Sequence, residues 1–203
     1  MYLFNYQPVA IALYDALNTN PVYQAFEQSV ANDTHAPMSA KDAMLAYFDY
    51  SLKEAEQYGD VTLLDGDAVG ATIWSKPIGE SRSIEKTNRK NAFIQQYMGD
   101  DCFSMYTTIG KFMEVQLDGL ITPESWYLSI IGIAPTFQGQ GLGRSLMTPI
   151  LTQTDQLGVP TYLETYNPRN KRFYNRLGYV EIAAFDEPVT GKRYWGMQRT
   201  PTM

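Results

Sequence analysis

The residues with the clearest chemical meaning form a glycine-rich segment at residues 138–143, Gln-Gly-Gln-Gly-Leu-Gly. It stands between an apolar run typical of a buried strand and the first turn of a predicted helix. Alternating glycines allow the backbone to turn so that several N–H groups point into one concavity, where the helix dipole also favours an anion. The segment is a candidate cradle for a diphosphate, although by itself it is equally compatible with a strand-to-helix turn that binds nothing.

Two other phosphate-binding loops do not fit this segment. The dinucleotide fingerprint G-x-G-x-x-G needs a glycine where Arg144 stands, and it belongs near the start of its domain rather than far along the chain. A Walker A loop needs a glycine in place of Gln138 and a lysine in place of Arg144. The sequence therefore excludes both of these nucleotide sites at this position.

The amino-acid composition excludes several classes of partner and cofactor. The chain has 203 residues, and 16 Lys and Arg against 22 Asp and Glu give a net charge of −6, which disfavours a nucleic-acid partner. One cysteine, Cys102, and one histidine, His35, are too few for a transition-metal site, so we expect no metal. No stretch approaches the roughly 20 apolar residues of a membrane span. The lack of a disulfide framework makes the cytoplasm the expected location.

The first part of the chain is predicted to be largely helical. Ser39 resembles a helix N-cap, and Gly59 is expected to end that helix. Two β-rich runs at residues 61–64 and 69–74 flank an Asp-Gly turn and predict a hairpin. Residues 2–6 are the only candidate for a preceding strand, which would be short or absent. The predicted helices cover residues 9–29 as two short helices, then 40–58, 83–98 and 104–117.

From Trp126 onward, strands and helices alternate. A helix is expected to follow the glycine-rich segment and end before Gly158, and another is expected to open at Asn167 and end at Gly178 in a left-handed conformation. The fold class is therefore α/β, or α+β, with a mixed sheet in a single domain over residues 1–203. The predicted strands cover residues 126–133, 159–166, 179–185 and 193–198.

Two sequence blocks carry a resemblance to a known family. The pattern Gln138-x-x-Gly141-x-Gly143 resembles the acyl-CoA loop R/Q-x-x-G-x-G/A of the GNAT superfamily of N-acyltransferases. Residues 167–179 resemble that superfamily's segment N-x(6)-Y-x-x-L-G-F/Y, and the two blocks stand in the family's order and spacing. Residues 124–200 are also similar to puromycin N-acetyltransferase and its relatives.

The resemblance implies a GNAT-like domain with splayed central strands, helices on both faces and acetyl-CoA as cosubstrate, without a metal. Residues 1–120 would form the acceptor side, and residues 121–200 the acyl-CoA-binding core. The pantetheine arm would pair with the splayed strand, where Gly132 indicates a bulge, a close ligand approach or a gap-filling core glycine. The implied cofactor-binding residues are Ile131, Gly132, Ile133, Gln138, Gly139, Gln140, Gly141, Leu142, Gly143, Arg144, Asn167, Asn170 and Phe173.

Two residues are candidates for the proton transfers of amine acetylation. Glu164 lies in a predicted strand, where a carboxylate is costly unless paired, so it is either a general base or a structural partner. The family places its general acid at Tyr174, whose alternative role is that of a core aromatic residue. Tyr174 stands seven residues after Asn167, which predicts that both side chains lie on one side of a helix. The family also implies direct transfer, so Cys102 is not expected to be a nucleophile.

Two functions from different classes follow. The first is an acetyl-CoA-dependent N-acetyltransferase that modifies an amine of a small molecule and acts as a monomer or homodimer. The second is a non-catalytic acyl-CoA-binding sensor that keeps the cradle without turnover. A pure interaction module is disfavoured because it leaves the glycine-rich segment and the Tyr174 block unexplained.

Overall fold

The computed structural model describes residues 2–64 and 69–202. Within these residues the chain forms helices and strands that alternate only in its second half, as predicted. The helices are α1 Gln7–Leu17, α2 Pro21–Asn32, α3 Ala40–Tyr58, α4 Glu80–Met98, α5 Asp100–Leu117, α6 Leu142–Leu157 and α7 Lys171–Asn175. The strands are β1 Gly59–Leu63, β2 Gly70–Ser75, β3 Trp126–Ile133, β4 Thr161–Thr165, β5 Val180–Glu187 and β6 Lys192–Arg199.

The strands form one mixed sheet in the order β1-β2-β3-β4-β6-β5. Only the central pair, β3 and β4, is parallel, because α6 carries the chain back across the sheet between them. The β1–β2 hairpin is confirmed by antiparallel pairing from Gly59 with Ser75 to Leu63 with Ala71. The Asp-Gly turn predicted for this hairpin lies outside the described residues.

Helices cover both faces of the sheet, as predicted. On one face α1 to α5 build a core in which Leu13, Phe48 and Ile94 are 0–1% exposed. On the other face α6 and α7 pack over a second core that includes Met147 and Tyr174. The sheet therefore separates a large helical region from a smaller one, and the candidate site residues are divided between the two faces.

The first strand was expected to be short or absent. Residues 2–6 form no strand, so it is absent from the described residues. The segment instead attaches to α3 through Asp49, which is 0% exposed. Asp49 accepts hydrogen bonds from the Tyr2 hydroxyl at 2.7 Å and from the N–H of Asn5 at 2.9 Å. Hydrogen bonds to the buried Asp49 carboxylate therefore hold this segment in place, instead of the backbone hydrogen bonds of a strand.

Several predicted helix boundaries are wrong by a few residues. Gly99 alone separates α4 from α5, because its φ of 89° turns the chain within one residue, whereas residues 99–101 were expected to be a turn. The loop before α6 ends at Gly141 rather than Gly143. The helix predicted to open at Asn167 is the five-residue α7, which begins only at Lys171. Gly178 is left-handed, as expected, with φ 90°.

The lone histidine and the lone cysteine take no part in a recognisable site. His35 is exposed, and Cys102 is buried, which raises the pKa of its thiol to about 12. In the part of the chain that the structure describes, no cluster of three or more His, Cys, Asp or Glu side chains is arranged to hold a metal ion. Among the same residues, no helix has the length and apolar character needed to cross a membrane.

Candidate active site

The central strands β3 and β4 separate partway along their length. They pair from Trp126 with Thr161 to Leu128 with Leu163, and the pairing stops there. β3 continues to Ile133 paired with β2, and on its β4 side the described residues provide no strand partner beyond Leu128. The predicted splay is thus present, and it leaves free N–H and C=O groups beside a gap in the sheet.

A β-bulge in β3 controls which side chains face each side of this gap. The register with β2 shifts between Ile73 and Trp74, which leaves Ser129 as the extra residue, and its hydroxyl donates to the Ile73 carbonyl at 3.0 Å. Leu128 therefore packs in the α6 core, whereas Ile130 packs in the core of α1 to α5. Without the bulge the two residues would lie on the same face, because side chains alternate along a strand.

The bulge expected at Gly132 lies at Ser129 instead, and the close neighbour of Gly132 in the structure is a helix. A Cβ on Gly132 would lie 2.8 Å from Leu13 Cδ2 and 3.2 Å from Ala16 Cβ, both on α1. Glycine is needed here so that α1 can pack closely on β3. The contact of the Gly132 backbone with a cofactor stays a prediction.

The glycine-rich segment forms an open turn at the N-terminus of α6. Gly139 and Gly141 have φ values of 79° and 81°, in the left-handed region that favours glycine. A Cβ at either position would have no atom within 4 Å, so the space beside both glycines is empty. Gln140 is exposed, and so is Arg144 in the first turn of α6.

The backbone of this turn fits the predicted diphosphate cradle. Among the described residues, no backbone carbonyl accepts from the N–H groups of Gly139, Gln140 or Gly141. Leu142 and Gly143 open α6, so their N–H groups precede its first intrahelical hydrogen bonds. Unpaired amides at a helix N-terminus are well suited to bind phosphate oxygens.

Two side-chain contacts hold the cradle beside the strand gap. The Gln138 side-chain amide donates to the Ile133 carbonyl at 2.9 Å, which ties the loop to the end of β3. Gly143 is helical rather than left-handed, and a Cβ there would lie 3.1 Å from the Phe173 ring. The third glycine therefore permits α7 to pack against α6, which places Phe173 next to the cradle.

The predicted pairing of Asn167 with Tyr174 on one helix face is wrong, because Asn167 precedes α7. Its side-chain oxygen accepts from the Arg169 N–H at 3.0 Å, and Asn170 takes the N-cap position of α7 without a side-chain cap bond. Tyr174 is 4% exposed and packs edge-to-face on Phe173 and Tyr179. Burial raises the pKa of Tyr174 well above its usual value, so its hydroxyl keeps its proton at neutral pH.

Glu164 lies on the opposite face of β4 from Leu163 and Tyr174. Its Oε2 accepts a hydrogen bond from the Tyr127 hydroxyl at 3.0 Å, and its Oε1 is buried with no partner among the described residues. Burial raises the pKa of Glu164 to about 7, and the Tyr127 hydrogen bond opposes that shift. A carboxylate that titrates near neutral pH and has a free oxygen can accept a proton from a substrate.

Glu164 faces a cavity of about 1000 Å³ on the side of the sheet covered by α1 to α5. Tyr127, Tyr162 and Tyr166 line the same wall, and the rings of Tyr127 and Tyr162 stack at 4.8 Å. No residue of the cradle lines this cavity; the cradle precedes α6, whose core lies on the other face of the sheet.

These tyrosines are the site residues that sequence reasoning missed. Their alternation along β4 as Tyr162, Glu164 and Tyr166 is a period-two signal that places all three on one face of the strand. Tyr127 could not have been assigned in the same way, because the bulge at Ser129 breaks the alternation along β3.

A strand gap, an amide cradle at a helix N-terminus and a cavity with a free carboxylate together match the arrangement implied by the two sequence blocks. The family model described as "Acetyltransferase (GNAT) family" matches residues 28–179. The chain belongs to this family. Membership in the GNAT family makes it an N-acetyltransferase and implies acetyl-CoA as the cosubstrate.

Several relatives share this sequence pattern or fold. An uncharacterized N-acetyltransferase of Schizosaccharomyces pombe is 26% identical over 181 residues, which are 87% of this chain and 71% of that protein. A Drosophila melanogaster polyamine N-acetyltransferase, which catalyses the formation of N-acetylagmatine, is 16% identical with a TM-score of 0.61 over 96% of this chain and 93% of its own. An agmatine N-acetyltransferase is 18% identical with a TM-score of 0.62 over the same shares. The two solved structures show a common fold.

Proposed function

We propose that this GNAT protein transfers the acetyl group of acetyl-CoA directly to an amine of a small molecule in a ternary complex, with no covalent acyl-enzyme. The observation that carries the proposal is the position of Glu164. Glu164 lies in the wall of a cavity large enough for a small molecule, on the strand that borders the gap in the sheet, and its Oε1 has no partner within residues 2–64 and 69–202.

This chain's own groups would hold the cosubstrate along the gap and the cradle. Beyond Leu128 the described residues offer no strand partner on the β4 side of β3, so the backbone of Ile131, Gly132 and Ile133 is suited to pair with the pantetheine arm as an added strand would. The Ile133 carbonyl already accepts from Gln138, so its N–H is the group that this residue would offer. The amides of the cradle from Gly139 to Gly143 would meet the diphosphate, whereas the Arg144 N–H already donates to the Gly141 carbonyl at 3.0 Å. The exposed Arg144 side chain would add positive charge. Phe173 packs against the core of α6 and α7, and Asn167 and Asn170, in the turn before α7, would contact the same cosubstrate. Acetyl-CoA supplies an acetyl group activated as a thioester.

Two residues would move the protons of the reaction. Glu164 takes a proton from the amine, so that the amine nitrogen carries a free electron pair when its bond to the acetyl carbon forms. As the carbon–sulfur bond breaks, the Tyr174 hydroxyl gives its proton to the sulfur. Tyr174 is available as the donor because burial raises the pKa of its hydroxyl, which therefore keeps its proton at neutral pH.

A small amine is the acceptor class that the relatives support, because the names of the fold relatives refer to polyamine and agmatine. The similarity to puromycin N-acetyltransferase rests on residues 124–200, which do not form most of the acceptor cavity. Weak or no activity on puromycin is therefore expected. A monomeric or homodimeric state and a cytoplasmic location stay predictions from the sequence.

The test measures thiol release from acetyl-CoA with and without a panel of small amines, together with the mass of each product. The proposal predicts amine-dependent thiol release that falls by about 10²–10⁴ in Glu164→Gln, the usual range for a general base. The exposed Glu124→Gln is the matched control and should keep wild-type turnover. Binding of CoA without turnover of any amine would favour the sensor instead.

A further inference from the structure

The wall of the cavity formed by α4 has a distinct chemical character. Each α4 residue in that wall is either a lysine or an uncharged side chain that can donate a hydrogen bond, and none is acidic. These residues are Ser83, Lys86, Thr87, Lys90 and Asn91. A wall of this kind is complementary to an anionic group.

Lys90 is buried in this wall, with only 6% of the residue exposed. Its Nζ donates to the Ser51 hydroxyl at 2.8 Å, and the nearest Glu54 oxygen is 4.0 Å away, beyond hydrogen-bond distance. The ammonium also lies 4.4 Å from the Tyr47 ring centre and 4.9 Å from that of Tyr50. One hydrogen bond leaves an ammonium with donor capacity for a ligand.

Lys86 lies one helical turn before Lys90 and lines the same cavity. Its Nζ donates to the Ser75 hydroxyl at 2.9 Å. Burial lowers the pKa of Lys90 to about 8; the charge of Glu54 opposes this shift, and the smaller effect of the Lys86 charge adds to it. Two adjacent ammonium groups that repel each other are stabilised when an anion binds both.

The carboxylates that line the cavity belong to elements other than α4. Glu54 on α3 forms a long ion pair with Lys90, at 4.0 Å, whereas Glu114 on α5 and Asp118 just after α5 are exposed, as is Lys111. Glu164 lies on β4. The α4 wall itself therefore presents two lysines and no acid.

We propose that Lys86 and Lys90 bind a carboxylate of the acceptor, so that the substrate is a small molecule with an amine at one end and a carboxylate at the other. This inference rests on the proposed function, because Glu164 would receive the amine end. It selects an amino acid-like acceptor over the cationic amines named for the fold relatives.

The test compares three matched series of acceptors, namely ω-amino acids of increasing chain length, n-alkylamines and α,ω-diamines of the same lengths. Acetylation gives kcat and KM, and calorimetry measures binding of the same compounds to the protein saturated with CoA. The wild type should bind the best ω-amino acid more tightly than the alkylamine or diamine of equal length.

Three variants assign the preference to the lysines. Lys90→Gln and Lys86→Gln should raise KM and Kd for the ω-amino acid about tenfold or more, as expected for a lost hydrogen bond to a charged group, with kcat nearly unchanged. The KM and Kd values for the alkylamine should be the same in these variants as in the wild type. Arg89→Gln is the control with the same charge change, because Arg89 bonds Gln57 and Glu85 outside the cavity.

Each outcome separates the two proposals. A wild-type preference for the diamine, or ω-amino acid constants unchanged in Lys86→Gln, overturns the carboxylate subsite while leaving amine acetylation intact. Lack of turnover for all three series overturns the proposed function, and the calorimetry then decides the subsite by itself. Lys86 is half-buried and makes one hydrogen bond, so Lys86→Gln is expected to fold. This variant tests the proposal by itself if Lys90→Gln does not fold.

Discussion

The Tyr127 hydroxyl donates to Glu164 Oε2 at 3.0 Å, and Oε1 of the same carboxylate has no partner in the part of the chain that the structure describes. The two residues lie on adjacent strands. Tyr127 stands one position before the last pair between β3 and β4, Leu128 with Leu163, and Glu164 stands one position after it. The sheet begins to open at this point. One oxygen of Glu164 is thus oriented by the protein, and the other is free for a substrate. This arrangement allows the pH dependence of the enzyme to be traced to one hydrogen bond.

The first prediction concerns that pH dependence. The proposed base must be ionised, so kcat/KM should rise with pH and level off above about 7, where burial places the pKa of Glu164. Tyr127→Phe removes the hydrogen bond that lowers this pKa, and the rise should move to higher pH. A shift of roughly half a unit to one unit matches the net worth of one hydrogen bond.

Tyr162→Phe is the matched control for this shift, because Tyr162 stacks on Tyr127 and lines the same cavity without bonding Glu164. Its pH profile should keep the wild-type midpoint. A profile of Tyr127→Phe that coincides with that of the wild type, measured where chemistry limits the rate, would contradict the assignment of Glu164 as the titrating base.

The second prediction concerns Tyr174. Tyr174→Phe keeps the packing on Phe173 and Tyr179 but removes the proton donor, so kcat should fall by about 10²–10⁴ with CoA affinity nearly unchanged. The control is Tyr179→Phe, whose hydroxyl accepts from Thr161 at 2.8 Å and serves the core. Tyr179→Phe should lower the stability of the protein and leave kcat unchanged. Retention of more than about half of wild-type kcat by Tyr174→Phe would assign the proton to another donor.

The third prediction concerns the cradle. Binding of CoA should raise the free energy of unfolding by about 2.7 kcal/mol at a concentration of 100 times its Kd. Gly141→Val should abolish this effect, because a β-branched residue does not tolerate the φ of 81° and the loop must rearrange.

Gly158→Val provides the comparison at the other end of α6, where φ is 68° and a Cβ likewise meets open space. Both variants should lower the melting temperature of the free protein, since both strain the backbone. Only Gly141→Val should lose the shift caused by CoA. An undiminished shift in that variant would place the diphosphate away from this loop.

The fourth prediction concerns the N-terminal segment. Asp49→Ala leaves the Tyr2 hydroxyl and the N–H groups of Asn5 and Tyr6 without their acceptor, and it should lower the free energy of unfolding by about 2–4 kcal/mol. Urea denaturation measures this loss. Asp49→Asn keeps an acceptor for both amides, so its loss should be clearly smaller. Equal losses in the two variants would mean that the carboxylate charge, rather than acceptor geometry, holds the segment.

The sequence contained enough information for most of the fold because local signals there are strong. Apolar spacing and the cap at Ser39 predicted α3, and the dense apolar run predicted β3 with the bounds that the structure has. Local signals failed where a few residues decide the backbone path. The positive φ of Gly99 lets α5 follow α4 after a single residue. Residues 167–170, which were expected to begin a helix, form the turn before α7 instead.

The sequence by itself indicated the cradle, because alternating glycines permit the left-handed backbone that the turn before α6 adopts, and the family pattern covers the same segment. It also indicated Glu164, since a carboxylate within a strand must have a partner or a function. Only the tertiary structure decided what surrounds these residues. The bulge at Ser129 turns Tyr127 toward Glu164, α1 takes the space beside Gly132, and α3 and α4 bring Glu54 and Lys90 into one cavity. Such contacts join residues far apart in the chain, and no local pattern records them.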